Sequence, residues 1–499
     1  MKGKNLTGLT GCIGILLALS ACSDGNYQVG RTSDSMPAIF PDYADVTIPC
    51  NIAPLCFSIA DSCTCEQAFA VFAIDGKTEK VKARNGQFHI PLRAWKRLLE
   101  QSAGKTMQVT LTAMINRERV SYPSFKIHIA AEPADPYIAY RLIEPGYEVW
   151  NSMGIYQRNI ENFDETAIVT NEHTKYNCMN CHSFCMQNPE MMLFHYRETF
   201  AGTMLLNGDV IEKLNTKTPE TMSALTYPSW HPSGKYVAFS TNRTMQAFHT
   251  SDRNRIEVYD NDSDVAVYDV NSHKIVTAPQ LSSEKAFETF PTFSPDGKTL
   301  YFCSADSTKM PKNYRRVQYS LCAVSFDPER CSFGAQVDTL YSAKEMNASV
   351  SFPRVSPDGR FLMFTLSRYG NFSVWHRDAD LYLLHLDSLR IVPLNRINSS
   401  DTESYHSWSS NSRWVVFSSR RIDGLYTRLY LAHIDEHGQA SKPFLLPQKD
   451  VDFYGRFMKS YNVPEFITGK VRKNSYDFSR KAINDKGIQV SFEKRAIQP

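Results

Sequence analysis

Long apolar runs are nearly missing from this 499-residue chain. The only one, Leu9 to Leu19, is too short for a stop-transfer helix, so the sequence predicts no helical membrane span. Charge of one sign is missing too. With 55 basic and 52 acidic residues the net charge is +3, which leaves no electrostatic footprint for nucleic acid. There is no Gly-x-Ser-x-Gly elbow, no His-Glu-x-x-His pair and no phosphate-binding loop, which removes the chemistries those motifs carry. Sustained helical periodicity is almost absent as well. What is abundant is Tyr and Phe, 25 and 29 of them, set in short segments between turn formers. The chain reads as mostly β.

The N-terminus reads as an export signal. Lys2 and Lys4 precede the apolar run, which ends in Leu19-Ser20-Ala21-Cys22. That ending resembles the lipobox of bacterial lipoproteins. The resemblance implies cleavage before Cys22, lipidation of Cys22, and residence in the cell envelope on a membrane face of Gram-negative type. Residues 1–21 are then a signal peptide and 22–37 a polar tether. Losing the signal removes two lysines and no acids, leaving a formal charge of +1. Of 12 cysteines, Cys12 leaves with the signal and Cys22 is lipidated. An oxidising compartment allows disulfides among the rest. Cys322 and Cys331, flanking the Asp327-Pro328-Glu329 turn, are plausible hairpin partners, and Cys50 and Cys56 could close a small loop.

The second half holds an internal repeat, and the repeat decides the fold. Four copies run Tyr227–Phe239, Phe290–Phe302, Phe352–Phe364 and Tyr405–Phe417. Each is a short strand, a tight turn and an apolar strand. In the Phe293-Ser294-Pro295-Asp296-Gly297-Lys298 turn, Pro presets φ, Asp bonds back to the backbone and Gly takes the positive-φ position. The fourth copy replaces Asp-Gly by Asn411-Ser412. Strand candidates Val265–Val270, Tyr319–Ser325, Asp380–Leu386 and Leu429–Ile434 lie between the copies. This pattern resembles the WD40-like propeller repeat of TolB and its relatives, which implies an all-β propeller of five or six blades over residues 182–450. A degenerate fifth copy, His182–Phe194, precedes them and places His182 where Pro228, Pro291, Pro353 and His406 stand. Gly202–Leu206 and Val210–Leu214 complete its blade as a hairpin.

Residues 38–134 carry strand-like runs and one amphipathic helix, Arg93–Gln101, and suggest a small immunoglobulin-like β-sandwich. Residues 135–181 read as a connector. The tail, 451–499, has strand candidates Glu465–Gly469 and Gly487–Phe492 that would close the ring or drape across it. Asp260 to Asp264 resembles the start of a calcium loop but has Val265 where the sixth-position glycine is needed, so a solvated turn is expected there.

Cys178-Met179-Asn180-Cys181-His182 has the spacing that attaches c-type haem. The reading gives one covalent haem c held by Cys178 and Cys181, with His182 as the proximal iron ligand. Export supplies the compartment that attachment needs. A Cys178–Cys181 disulfide, a redox dithiol and a zinc site using Cys185 remain open beside it. The distal ligand stays undecided among His173, Met186, Met191, Met192, His195 and His406. Two functions follow as expectations. One is a lipid-anchored cytochrome exchanging single electrons with an envelope redox protein. The other is a haem-free TolB-like scaffold for protein–protein contacts in the periplasm. No residue is singled out as catalytic.

Overall fold

The computed structural model describes residues 28–59, 65–115, 118–145 and 151–494. The signal segment and Cys22 lie outside the described residues. The described chain is mostly β, divided into many small sheets. No described helix is long and apolar enough to cross a membrane.

Six sheets share one plan. Five are built on four consecutive antiparallel strands, with first strands Met179–Phe184, Leu225–Trp230, Ala286–Phe293, Ser349–Val355 and Glu403–Trp408. The sixth is assembled from both ends of the region. Ser460–Ile467 supplies its first strand and pairs antiparallel with Tyr137–Ile143, followed by Gly154–Asn159 and Glu165–Thr170. Each first strand touches the first strand of the next sheet, and Ser460–Ile467 touches both Glu403–Trp408 and Met179–Phe184. The contacts therefore run round in a ring, a propeller-like arrangement. Residues 135–181, read as a connector, instead hold three strands of a sheet. Their partner is more than 300 residues away, so no local pattern reveals the pairing.

Packing between neighbouring sheets explains the composition of the second strands. Phe361–Ser367 is buried at every position because both of its faces are covered. A strand so placed reads as a continuous apolar run. The turns behave as their chemistry requires. Gly234, Gly297 and Gly359 take φ of 71°, 72° and 73°, and Ser412 adopts the same left-handed conformation at 62°. A Cβ on Gly297 would come within 2.1 Å of His231 Nε2, so glycine is needed there for space as well as for φ. Ser412 keeps the turn because Asn411 Oδ1 accepts from Ser409 Oγ at 2.6 Å, as Asp296 Oδ1 does from Ser294 at 2.5 Å.

The N-terminal region differs from an immunoglobulin-like sandwich. Its seven-stranded sheet contains two parallel pairings, Gln28–Thr32 with Glu118–Ser121 and Phe125–Ile129 with Val46–Ile48. A three-stranded sheet and the helix Leu92–Leu99 complete it. Its core, with Phe57, Phe72 and Trp95, is continuous with that of the fifth ring sheet through Trp414, Leu431 and Phe444. Asp260 to Asp264 is no turn: it lies inside the strand Ile256–Asp269, with Asp260 buried. Two expected disulfides are also corrected. Cys322 is a free buried thiol that faces Thr339 across its hairpin, away from the turn where Cys331 sits. Cys56 is a free thiol within the N-terminal core, and Cys50 is a free thiol packed against that core from its edge.

Candidate functional site

Every first strand breaks register with its neighbour at the same step. The breaks fall between Asn180 and Ser183, Thr226 and Ser229, Thr289 and Thr292, Ser351 and Arg354, and Ser404 and Ser407. The sixth falls where Glu465 and Asn462 oppose Ala139 and Arg141. Each break is a β-bulge, an extra residue that bends the strand and re-aims a side chain. Tyr227, Phe290, Phe352, Tyr405 and Val463 hold φ of 47° to 52° there. For bulky or β-branched residues that conformation costs on the order of 1–3 kcal/mol each. The next residue loses its ladder partner, so proline is tolerated, and Pro228, Pro291, Pro353 and Pro464 occupy the step. His182 and His406 stand at the same step in the other two strands.

The bulges build layers along the ring axis. Rings of Tyr227, Phe290, Phe352 and Tyr405 follow one another with centroids 4.6, 4.5 and 4.8 Å apart. One side of this layer is a cavity of about 150 Å³ whose polar lining is Arg141, Asn180, His182, Arg197 and Arg354 beside the Tyr227 and Tyr405 rings. On the other side, a cavity of about 120 Å³ is lined by Ser183, Ser229, Thr292, Arg354, Ser407 and Glu465. The long hairpin Tyr236–Phe248 and Ile256–Asp269 reaches the first cavity through Val258, and Phe372 meets it there. Buried Glu257 fastens this hairpin: it accepts from Tyr369 Oη at 2.5 Å and faces His376 Nε2 at 3.0 Å.

Burial dominates the electrostatics. His182 is pushed down to about 3 by desolvation first and the Arg141 charge second, with the Val463 backbone opposing. It is therefore a neutral imidazole, and neither ring nitrogen completes a hydrogen bond of ordinary geometry. Burial likewise lowers Arg354 and raises Glu465 to about 7, although Glu465 Oε2 accepts from the Phe184 amide at 3.0 Å. A carboxyl whose folded value lies above the ordinary 4.5 stabilises the fold fully below pH 4.5 and loses that contribution as pH rises through 7. Wild type is expected to lose up to ~3 kcal/mol relative to Glu465→Gln between pH 4.5 and 7.5, measured by urea unfolding of both. Equal slopes for the two proteins would show that Glu465 is ionised in the fold.

The structure separates most of the residues singled out from sequence. His182 lines the 150 Å³ cavity. Cys178 is half-buried elsewhere, against the apolar seam that Ala139, Met153 and Met179 form between the sixth and first sheets. The Cys181 side chain lies outside the described structure. None of the six distal candidates joins His182 in the cavity lining. His173 is exposed, Met186 borders the other cavity, and Met191 and Met192 pack between sheets. His406 Nε2 meets the Met363 carbonyl at 2.9 Å. His195, whose Nδ1 lies 2.8 Å from Thr203 Oγ1, borders a side groove of about 540 Å³. Among the described residues, no three His, Cys, Asp or Glu side chains converge as a metal site.

A covalent haem needs Cys178, Cys181 and His182 to face one space large enough for a macrocycle. The neutral imidazole suits an iron ligand. The rest of the arrangement does not fit. Cys178 faces a sheet seam, and a 150 Å³ cavity, which holds about one six-membered ring, is too small for a macrocycle. Sequence reasoning missed Arg141, Arg197, Arg354 and Glu465, which come from three different sheets. The aromatic layer did leave a signal: the residue before the proline or histidine of each clear repeat copy is Tyr or Phe.

No family model and no curated protein matches the chain. Solved structures do. A puromycin-hydrolysing peptidase of Mycobacterium tuberculosis aligns with TM-score 0.34 and 12% identity over 81% of this chain and 57% of its own. The dihydro-haem d1 dehydrogenase NirN aligns with TM-score 0.32 and 10% identity over 73% and 64%. A putative 6-phosphogluconolactonase of Bacteroides fragilis aligns with TM-score 0.31 and 10% identity over 64% and 97%. The chain spans less than two thirds of the length of the first of these.

Proposed function

We propose that the chain is an exported, lipid-anchored, six-bladed TolB-like propeller that works as a haem-free binding module in the cell envelope, meeting an envelope protein through its channel mouth. The observation that carries this is the repeated bulge. All six first strands interrupt their pairing at one level, and in five of them a bulky residue is held at positive φ to shape the axis. Backbone strain kept at one level of five blades is a mark of a functional surface. Cys22 is the proposed anchor, with the ring hung from it by the N-terminal region.

A second reading has one observation in its favour. The buried His182 imidazole lacks a normal partner on either nitrogen, as a ligand to iron would without its metal. This is the covalent haem c on Cys178 and Cys181, with one-electron transfer to an envelope redox protein.

One preparation decides both points. The chain is produced in a host with cytochrome c assembly, fractionated, denatured and treated with pyridine. The expected result is membrane-bound, colourless protein that moves to the periplasmic fraction in Cys22→Ser. A haemochrome band that survives denaturation and vanishes in Cys178→Ala/Cys181→Ala would replace the scaffold by the cytochrome. Unchanged partitioning of Cys22→Ser would remove the anchor.

A further inference from the structure

The 150 Å³ cavity has a composition that the scaffold reading does not use. Arg141, Arg197 and Arg354 line it, and no carboxylate does. None of the three forms an ion pair within 4.0 Å with a described carboxylate. Arg141 Nε is buried without a partner, and its Nη1 reaches only the Met179 carbonyl at 3.4 Å. With its amide turned so that the oxygen faces Arg197, Asn180 accepts from Nε and Nη2 at 3.0 Å each, which fixes the guanidinium plane with a neutral group. Glu465, whose charge acts on Arg354, borders the cavity on the far side of the aromatic layer. His182 is 2% exposed, and neither of its ring nitrogens completes a hydrogen bond of ordinary geometry.

Guanidinium groups with no carboxylate within ion-pair distance attract an anion, and their planar forks match a carboxylate bidentately. The remaining walls are apolar and flat: Phe290, Phe352, Phe372 and Val258, with the Tyr227 and Tyr405 rings. A cavity of this volume holds about one six-membered ring. The side groove of about 540 Å³ shares Arg197 and Tyr227 with the cavity.

We propose that this cavity is a binding site for a small organic carboxylate with a planar apolar body, its carboxylate facing Arg141 and Arg197 and its ring lying against the aromatic layer. The inference rests on reading the chain as a binding propeller. Arg197 also faces the surface, so replacing it leaves the fold intact.

Calorimetric titration of the full lipid-anchored chain in detergent tests it, with benzoate, benzamide and inorganic phosphate as probes. Benzoate is expected to bind at one site and benzamide, the uncharged isostere, at least tenfold more weakly. Arg197→Gln and Arg141→Gln are each expected to weaken benzoate at least tenfold, with ligand-free circular dichroism unchanged in Arg197→Gln. Equal affinity for benzoate and benzamide, no benzoate binding, or undiminished binding by Arg197→Gln overturns the site. Phosphate binding tighter than benzoate overturns the carboxylate and leaves a phosphate site. The absorption spectrum of the same sample keeps the two readings apart. A covalent haem band defeats the binding-module reading, whereas colourless protein that ignores benzoate defeats only this inference.

Discussion

Ending the chain at Lys459 is expected to leave no cooperatively folded state. Residues 460–467 are the first strand of the sixth sheet, and they contact both neighbouring first strands. Tyr461, Phe466 and Ile467 are almost wholly buried, and each is worth about 1.5–3 kcal/mol of transfer free energy. Their sum, roughly 5–9 kcal/mol, is comparable with the ~5–15 kcal/mol of an entire domain. Losing the strand also uncovers Tyr137–Ile143 and the seam that Met179 and Phe184 share with it. Removing only residues 486–499 is a much smaller change. Within that stretch, Ile488–Gln489 and Ser491–Lys494 are parallel additions at the outer edges of the first and second sheets. Denaturant unfolding followed by near-ultraviolet circular dichroism compares the two truncations with the intact chain. A cooperative transition within ~2 kcal/mol of wild type in the longer truncation would show that the ring does not depend on this strand.

That expectation marks where the sequence was legible. The four clear repeat copies show themselves because each first hairpin is local: its two strands and its turn lie within 13 residues, and the turn chemistry is explicit. Hidden from such reading is any pairing without locality. The sixth sheet joins residues 137–170 to 460–467, and the parallel strands of the N-terminal region pair across stretches of other structure. The site is legible to a similar degree. His182 can be placed by aligning His182–Phe194 with the repeat, and it lines the axis. The arginines cannot, because Arg141 stands on a strand outside the repeat and Arg197 follows the second strand of the weakest copy.

Cys178 to His182 lies where the chain enters the first strand of the first sheet. In a haem-binding turn, the two thiols and the imidazole gather on one side. Here the segment enters an extended strand, where alternate residues face alternate sides. Met179 and Phe184 occupy the seam with the sixth sheet, so the strand register is set by their burial. His182 is left facing the cavity, with Cys178 on the seam.

Phe352→Gly is expected to be more stable than Phe352→Ala, the reverse of the usual order. Phe352 is 3% exposed at the centre of the aromatic layer, 4.5 Å from Phe290 and 4.8 Å from Tyr405 between ring centroids. Truncating it to Ala removes those contacts and should cost about 3–5 kcal/mol. Its φ, however, is 52°, and alanine keeps the left-handed strain that glycine does not feel. Glycine should therefore regain about 1 kcal/mol at this position. Phe364 supplies the control: it is fully buried in the next strand and has ordinary β geometry, so there glycine should be the worse replacement by ~0.5–1 kcal/mol. Urea midpoints of the four variants test the crossing. The same Ala-over-Gly order at both positions would mean that the bulge carries no strain, and the argument for a conformation held to shape the axis would fall with it. A crossing would instead show that the ring at Phe352 is kept where the backbone alone would not place it. The aromatic layer would then be maintained for the cavity it bounds.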